Sequence, residues 1–124
     1  MNPPSSSRRK AGLCMAYGTV PTRSLADRIA REAVTVGAAA CVHRLPRIRS
    51  VYPWKGRIES AVEYPLLFKL RADQWKRLSE IFVKNHPYEC PGLVRCPIEG
   101  GLAPFLEWIR ASNSRTPDSR TRTR

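Results

Sequence analysis

Three features of the sequence predict an α+β fold in which two helices cover one face of a four-stranded antiparallel sheet. The first is a set of apolar, strand-like runs at residues 13–20, 38–54, 57–70 and 92–98. The second is an amphipathic segment after the first run and another after the third. The third is the resulting order, β-α-β-β-α-β, which is typical of a ferredoxin-like sandwich. The second and third strands form an extended hairpin, and a short C-terminal helix follows the sheet.

The first strand and the first helix are predicted from an uncharged run and a capping signal. Residues 13–20 read LCMAYGTV, which suits a buried strand, and Pro21 stops it. Thr22 or Ser24 then caps a helix that Gly37 ends. The apolar residues recur at helical spacing, at Leu25, Ile29, Ala33 and Val36.

The hairpin is predicted from two extended segments joined by a tight turn. Residues 38–54 read as one long, irregular strand bent near Pro46, because proline does not fit a helix or a central strand. Lys55-Gly56 is the expected turn, and residues 57–70 form the return strand. This arm is longer than two helices can cover, so its exposed edges favour a closed oligomer.

The second half of the domain is predicted to repeat a helix and a strand. A helix begins at Asp73 and ends at His86-Pro87, because the residue before proline avoids the helical region. Residues 92–98 form the last strand of the sheet. Pro104 then opens the short terminal helix at residues 105–109.

Both ends of the chain are predicted to be disordered basic tails around a domain at residues 12–111. Residues 1–11 and 112–124 are rich in Ser, Thr, Pro and Arg and cannot form a packed core. The chain has 22 Lys and Arg against 10 Asp and Glu, a net charge of +12. The tails can contact nucleic acid non-specifically. A specific nucleic-acid function is not expected, since no RNP-type aromatic motif is present.

The cellular location of the protein and the redox state of its cysteines are predicted from the same observations. No run of about 20 apolar residues occurs, so no membrane span is expected. The four cysteines, at positions 14, 41, 90 and 96, form no CxxC pair. We expect reduced, mostly buried thiols in a cytoplasmic protein.

Several motifs give the chain a resemblance to a known family. In chain order they are GTVPT (18–22), AACV (39–42), SVYPWKGRIE (50–59), FKL (68–70), NHPYECP (85–91) and FLEWI (105–109). This set resembles the CutA family, the divalent-cation tolerance proteins. The resemblance covers about residues 13–111.

The resemblance implies a homotrimer with a ferredoxin-like subunit and a role in tolerance of copper and other divalent metals. In some bacterial members the proposed copper site uses a cysteine and a pair of histidines, at positions that are Gly18, Asn85 and His86 here. Only His86 matches, so it is the one candidate metal ligand. No cofactor is required, although Cu²⁺ or another divalent cation can be bound.

The resemblance also implies a cleft at a subunit boundary. The residues it would place there are Tyr52, Trp54, Lys69, Tyr88 and Glu89. Aromatic walls with a few polar groups suit a small-molecule pocket, but the same side chains can equally seal a trimer interface. The alternative function is therefore a sensor built like the trimeric PII-type signal proteins.

Catalysis is not predicted. Cys90, His86 and Glu89 supply the residue types of a thiol enzyme, but spacing alone does not establish their geometry. The sequence also lacks a phosphate-binding loop and an HExxH motif.

Overall fold

The computed structural model describes residues 12–112, so the predicted tails at 1–11 and 113–124 lie outside the described residues. Ser112, the first residue of the predicted C-terminal tail, is the last residue of a helix. The strands are β1 (Leu13–Val20), β2 (Cys41–Arg44), β3 (Ile48–Trp54), β4 (Arg57–Arg71) and β5 (Leu93–Ile98). The α-helices are α1 (Arg23–Thr35), α2 (Trp75–Asn85) and α3 (Ala103–Ser112).

The sheet is antiparallel and is organised around β4. The strand order is β2-β4-β1-β5, and β3 pairs with the first half of β4. Because β4 has 15 residues, it pairs with β1 and β2 in its second half and still extends beyond them. The predicted α+β, ferredoxin-like arrangement is confirmed.

The structure differs from the prediction at the long irregular strand. Residues 38–54 form two strands, β2 and β3, and the break lies at residues 45–47 around Pro46. Proline has no N–H to donate to a ladder, so pairing stops there. The hairpin arm is therefore made of β3 and β4. Its turn lies at Lys55-Gly56 as predicted, and both residues have positive φ, 51° and 79°.

The main core lies between the sheet and the helices α1 and α2. We call this side of the sheet the helix face and the other side the open face. The largest fully buried side chains of the helix face are Ile29, Leu66, Phe68, Leu70, Leu78 and Phe82. Phe68 and Phe82 meet edge to face, with 6.4 Å between ring centroids.

The helix α3 covers only one end of the open face. Ile109 of α3 is fully buried there against Leu13 and Ala40. None of the helices in the described part of the chain covers the other end of the open face, near Thr19 and the root of the arm. That end contains the cavity described below.

A polar clamp holds the C-terminus of α2 against α1. Glu32 of α1 accepts hydrogen bonds from Lys84 Nζ at 2.6 Å and from Asn85 Nδ2 at 3.1 Å. The Lys84 hydrogen bond is the main reason that the pKa of Glu32 lies below its usual value, and the Asn85 amide adds to it. Asn85 therefore serves helix packing.

We predict that Glu32→Gln lowers the free energy of unfolding by about 0.5 kcal/mol at pH 7, since the pair is partly exposed. The folded pKa of Glu32 is lowered, so its charge stabilises the fold fully above the ordinary value of 4.5. This contribution is lost as the pH falls through the folded pKa. Urea unfolding of both proteins at pH 7 and at pH 3 measures the difference.

Glu80→Gln is the matched control, because Glu80 is exposed on α2 and is not one of the three residues of the clamp. It should leave stability unchanged at both pH values. A Glu32→Gln deficit that stays constant from pH 7 to pH 3 would contradict the electrostatic explanation.

Candidate ligand cavity and the His86 turn

The His86 side chain is buried, and both of its ring nitrogens are hydrogen-bonded to backbone. Only 8% of the residue is exposed. Nε2 lies 2.8 Å from the Thr19 carbonyl oxygen, and the Tyr88 N–H donates to Nδ1 at 3.2 Å. A carbonyl only accepts, so Nε2 carries the proton and Nδ1 is the acceptor. This arrangement needs the neutral Nε2–H tautomer and fixes the chain just after α2.

Aromatic packing completes the turn. The His86 ring lies between Phe82 and Tyr88, with centroid distances of 5.1 and 4.6 Å. Pro87 follows His86 directly, so the helix ends where the sequence predicts. The turn carries Tyr88 from α2 to the open face of the sheet.

The copper site implied by the resemblance does not fit this geometry within one subunit. A Cβ built on Gly18 would lie 2.7 Å from Phe82 Cζ and 2.8 Å from the Gly92 carbonyl oxygen, so a cysteine there would clash. A metal on His86 would have to displace either the Thr19 or the Tyr88 hydrogen bond. In residues 12–112, no group of three or more His, Cys, Asp or Glu side chains could hold a metal ion.

A buried carboxylate lies on the open face beside this turn. Glu63 of β4 is 7% exposed, and it accepts hydrogen bonds from Thr19 Oγ1 at 3.0 Å and from the Tyr88 hydroxyl at 3.1 Å. Thr19 pairs with Pro65, so Thr19 and Glu63 are diagonal neighbours on the same face of the sheet. The contact between Thr19 and Glu63 therefore follows from strand register.

The hydroxyl of Tyr88 is held in its protonated form. Burial raises the pKa of Tyr88 to about 12, and the Glu63 charge, the Glu63 hydrogen bond and nearby Tyr52 act in the same direction. Tyr88 therefore acts as a donor to Glu63 at neutral pH.

Glu63 and Tyr88 line a cavity of about 720 Å³ between the arm and the segment after α2. Four of the five residues predicted for a cleft lie in its wall. The lining residues are Thr19, Ser50, Val51, Tyr52, Trp54, Glu63, Pro87, Tyr88, Glu89, Cys90 and Gly92. Sequence reasoning missed Thr19 and Glu63. Glu63 could have been found from strand alternation. Alternate residues of a strand share a face, and the register of the hairpin places Glu63 on the same face as Tyr52 and Trp54 of the paired strand.

Lys69, the fifth predicted residue, lies elsewhere in this subunit. It is on the same strand face as Glu63 but six residues further along β4, which is roughly 20 Å. Its ammonium lies 3.0 Å from His43 Nε2 and 5.4 Å from the ring centroid of Phe105 in α3.

None of the four cysteines, all of which lie in the described residues, is in a disulfide, but the prediction that they are mostly buried is wrong for three of them. Cys14 is buried, and burial raises the pKa of its thiol. Cys41 is partly exposed, and Cys90 and Cys96 are exposed because they lie in a loop and on an edge strand. Cys90 lines the cavity, but His86 has both nitrogens on backbone atoms and so is not placed to act as its base.

Comparison with known proteins gives the family. The family description "CutA1 divalent ion tolerance protein" matches residues 14–112, which include both the His86 turn and the cavity. The chain belongs to this family. The bovine protein named Protein CutA is 37% identical over 122 residues, covering 95% of this chain and 69% of the relative. The divalent-cation tolerance protein CutA of Archaeoglobus fulgidus is 37% identical over 93 residues, covering 75% of this chain and 90% of the relative.

Solved structures of the family share the fold. The CutA1 crystal structure from Shewanella sp. SIB1 superposes with a TM-score of 0.81 at 30% identity, covering 86% of this chain and 99% of the other. The structure from Oryza sativa gives 0.80 at 34% identity, with coverage of 83% and 94%.

The relatives differ in length and in the location that their names give. The chain spans 59% of the human relative. The Arabidopsis thaliana relative is called chloroplastic, and a structure from Archaeoglobus fulgidus is described as periplasmic. Among the helices of residues 12–112, none has the length and apolar character needed to cross a membrane.

We predict that Gly18→Ala lowers the free energy of unfolding by about 2 kcal/mol, because the added methyl group must push Phe82 or the backbone of Gly92 away. Urea or thermal unfolding measures the change. Gly92→Ala is the control, since its Cβ would meet no atom within 4 Å. Equal stability of the two variants would show that α2 does not pack this closely on β1.

Proposed function

We propose that the protein is a homotrimer that acts in the tolerance of, or response to, divalent metal ions such as copper, in the cytoplasm. Its membership of the CutA1 divalent ion tolerance family supports the metal-related role. The free thiols favour a reducing compartment. The observation that carries the oligomer is the apolar, uncovered face of the arm.

The arm extends the helix face of the sheet beyond the reach of α1 and α2. In β3 and β4 the residues Val51, Pro53, Ile58 and Val62 share this face, because Val51 pairs with Ser60 and Pro53 with Ile58. Val51 is 68% exposed and Ile58 is 75% exposed. An apolar strip of this kind marks an interaction site, and a neighbouring subunit is the partner that family membership favours.

Any divalent cation is held weakly in this proposal, by surface side chains. The two histidines of the chain differ sharply in exposure. His86 is buried and bonded to backbone, whereas His43 is exposed on the edge strand β2, with its Nε2 4.0 Å from Cys41 Sγ and 3.0 Å from Lys69 Nζ, a surface contact that a metal cation would have to displace. A cation that prefers nitrogen and sulfur ligands meets His43 more readily.

We predict that Ile58→Lys dissociates the trimer, since a charged side chain would be buried at the interface. Size-exclusion chromatography with light scattering measures the mass, and circular dichroism checks the subunit fold. Val83→Lys is the control, because Val83 is also exposed and apolar but lies on α2. A wild-type chain that elutes as a monomer at all concentrations would contradict the trimer.

We predict that His86→Ala lowers the free energy of unfolding by about 2 kcal/mol, through the loss of two hydrogen bonds and ring packing. Its affinity for Cu²⁺ should stay within about twofold of the wild type. His43→Ala should show the reverse pattern, with unchanged stability and weaker Cu²⁺ binding.

Copper titration by calorimetry and urea unfolding give the two quantities for each variant. If His86→Ala abolishes Cu²⁺ binding and leaves stability intact, His86 is a metal ligand and the surface-binding proposal fails.

A second candidate function is a small-molecule sensor that resembles the trimeric PII-type proteins. The specific observation in its favour is the cavity beside Glu63, which is large enough for a small molecule and has aromatic walls. Since Tyr52 and Trp54 belong to the arm, a cavity at this place would lie close to a subunit boundary in the proposed trimer.

A further inference from the structure

The charge of the cavity wall is opposite to that of the chain. The whole protein has a net charge of +12. Within residues 12–112, the lining residues nevertheless include two carboxylates, Glu63 and Glu89, and no Lys, Arg or His. A ligand in the cavity therefore meets negative charge inside a positively charged protein.

The buried carboxylate is arranged to accept further hydrogen bonds. One oxygen of Glu63 accepts from Thr19 and the other from Tyr88. Each carboxylate oxygen has two lone pairs, so each keeps one for a further donor. The hydroxyl oxygens of Thr19 and Tyr88 can accept as well, since their protons are used on Glu63. The polar groups of Thr19, Glu63 and Tyr88 therefore favour a ligand that donates hydrogen bonds.

The aromatic walls suit a cation. Tyr52, Trp54 and Tyr88 line the same cavity, and the face of an aromatic ring attracts an ammonium or guanidinium group. The carboxylate supplies the opposite charge, and the rings supply area without competing hydrogen-bond donors along their faces.

An ammonium group of the chain itself already lies beside two lining residues, Trp54 and Glu89, and we call this edge the mouth of the cavity. Lys55 Nζ is 5.7 Å from the ring centroid of Trp54 and 3.9 Å from Glu89 Oε1. Both charged side chains are 71% exposed, so this pair is weak and can be exchanged. The mouth therefore accommodates a primary ammonium between a ring and a carboxylate.

We propose that this cavity binds a small organic cation, with an ammonium or guanidinium group on Glu63 and its carbon chain against Tyr52 and Trp54. The inference deepens the proposed sensor function, on which it rests, by naming the ligand class. An anionic ligand such as a nucleotide is disfavoured, because its phosphates would face the Glu63 carboxylate, which has hydroxyl donors but no ammonium partner among the lining residues described.

The test is calorimetric titration of the full chain with spermidine, with ATP and MgCl₂ as separate titrants. General electrostatics works against spermidine, since the protein has the same sign of charge. Saturable binding of spermidine therefore supports a specific site. No binding by the wild type would overturn the proposal.

Glu63→Gln should weaken spermidine binding about tenfold or more, since it removes the charge but keeps the shape. Glu59→Gln is the matched control, because Glu59 lies on the same face of β4 outside the cavity. Its affinity should equal that of the wild type. Equal affinities for Glu63→Gln and the wild type would overturn the proposal.

Trp54→Ala provides a second readout if Glu63→Gln does not fold, because Trp54 is exposed on the arm and its truncation leaves the core intact. It should weaken spermidine binding several-fold. ATP binding that depends on Glu63, or Mg²⁺ binding that displaces spermidine at equal concentration, would assign the cavity to a different ligand class and overturn the proposal.

Light scattering on the same samples measures the mass of the assembly, and so tests the homotrimer separately from ligand binding. All the lining residues belong to one subunit, so a monomer that binds spermidine would contradict the homotrimer and support the cation site. A stable trimer without spermidine binding, from which Glu63→Gln releases monomers, would show that a neighbouring subunit's basic side chain occupies the cavity instead.

Discussion

The close approach of α2 to β1 at Gly18 is the constraint on which the rest of this structure depends. Only a residue without a side chain leaves room for Phe82 there. With Phe82 in place, the end of α2 lies near enough to β1 for His86 to reach the Thr19 carbonyl. The same turn then delivers Tyr88 to Glu63. Helix packing on one face of the sheet therefore positions the polar group on the other.

A buried carboxylate is costly unless its hydrogen bonds are satisfied, and Glu63 shows how the fold meets that requirement. Its two donors come from β1 and from the loop after α2, which are distant in sequence but adjacent in space. Because both donors are neutral hydroxyl groups, the negative charge is stabilised without being cancelled by a basic side chain. That residual charge is the basis of our proposal that the cavity binds a cation in a basic protein.

Much of the fold was predictable because it depends on local patterns. The positions of β1, α1 and α2 follow from apolar spacing, caps and prolines, and the Lys55-Gly56 turn follows from residue preference. The site was only partly predictable. The resemblance predicted that Lys69 lies with the aromatic residues, but the length of β4 places it roughly 20 Å from Glu63 within one subunit. The exposure of Cys90 and Cys96 depends on which strand forms the edge, and strand order is not a local property.

The sequence by itself determined the element order, the arm and the family motifs, since these depend on residues close together in the chain. Only the tertiary structure decided what the motif residues do. His86 and Asn85 occupy two positions of the copper site implied by the resemblance. Their hydrogen bonds show that His86 fixes the turn after α2 and that Asn85 holds α2 against α1. The tertiary structure also revealed the role of Glu63, because the burial of a charged residue depends on partners brought together from 25 and 44 positions away. The physical reason is that a side chain's function depends on its neighbours in space, whereas sequence patterns report mainly its neighbours along the chain.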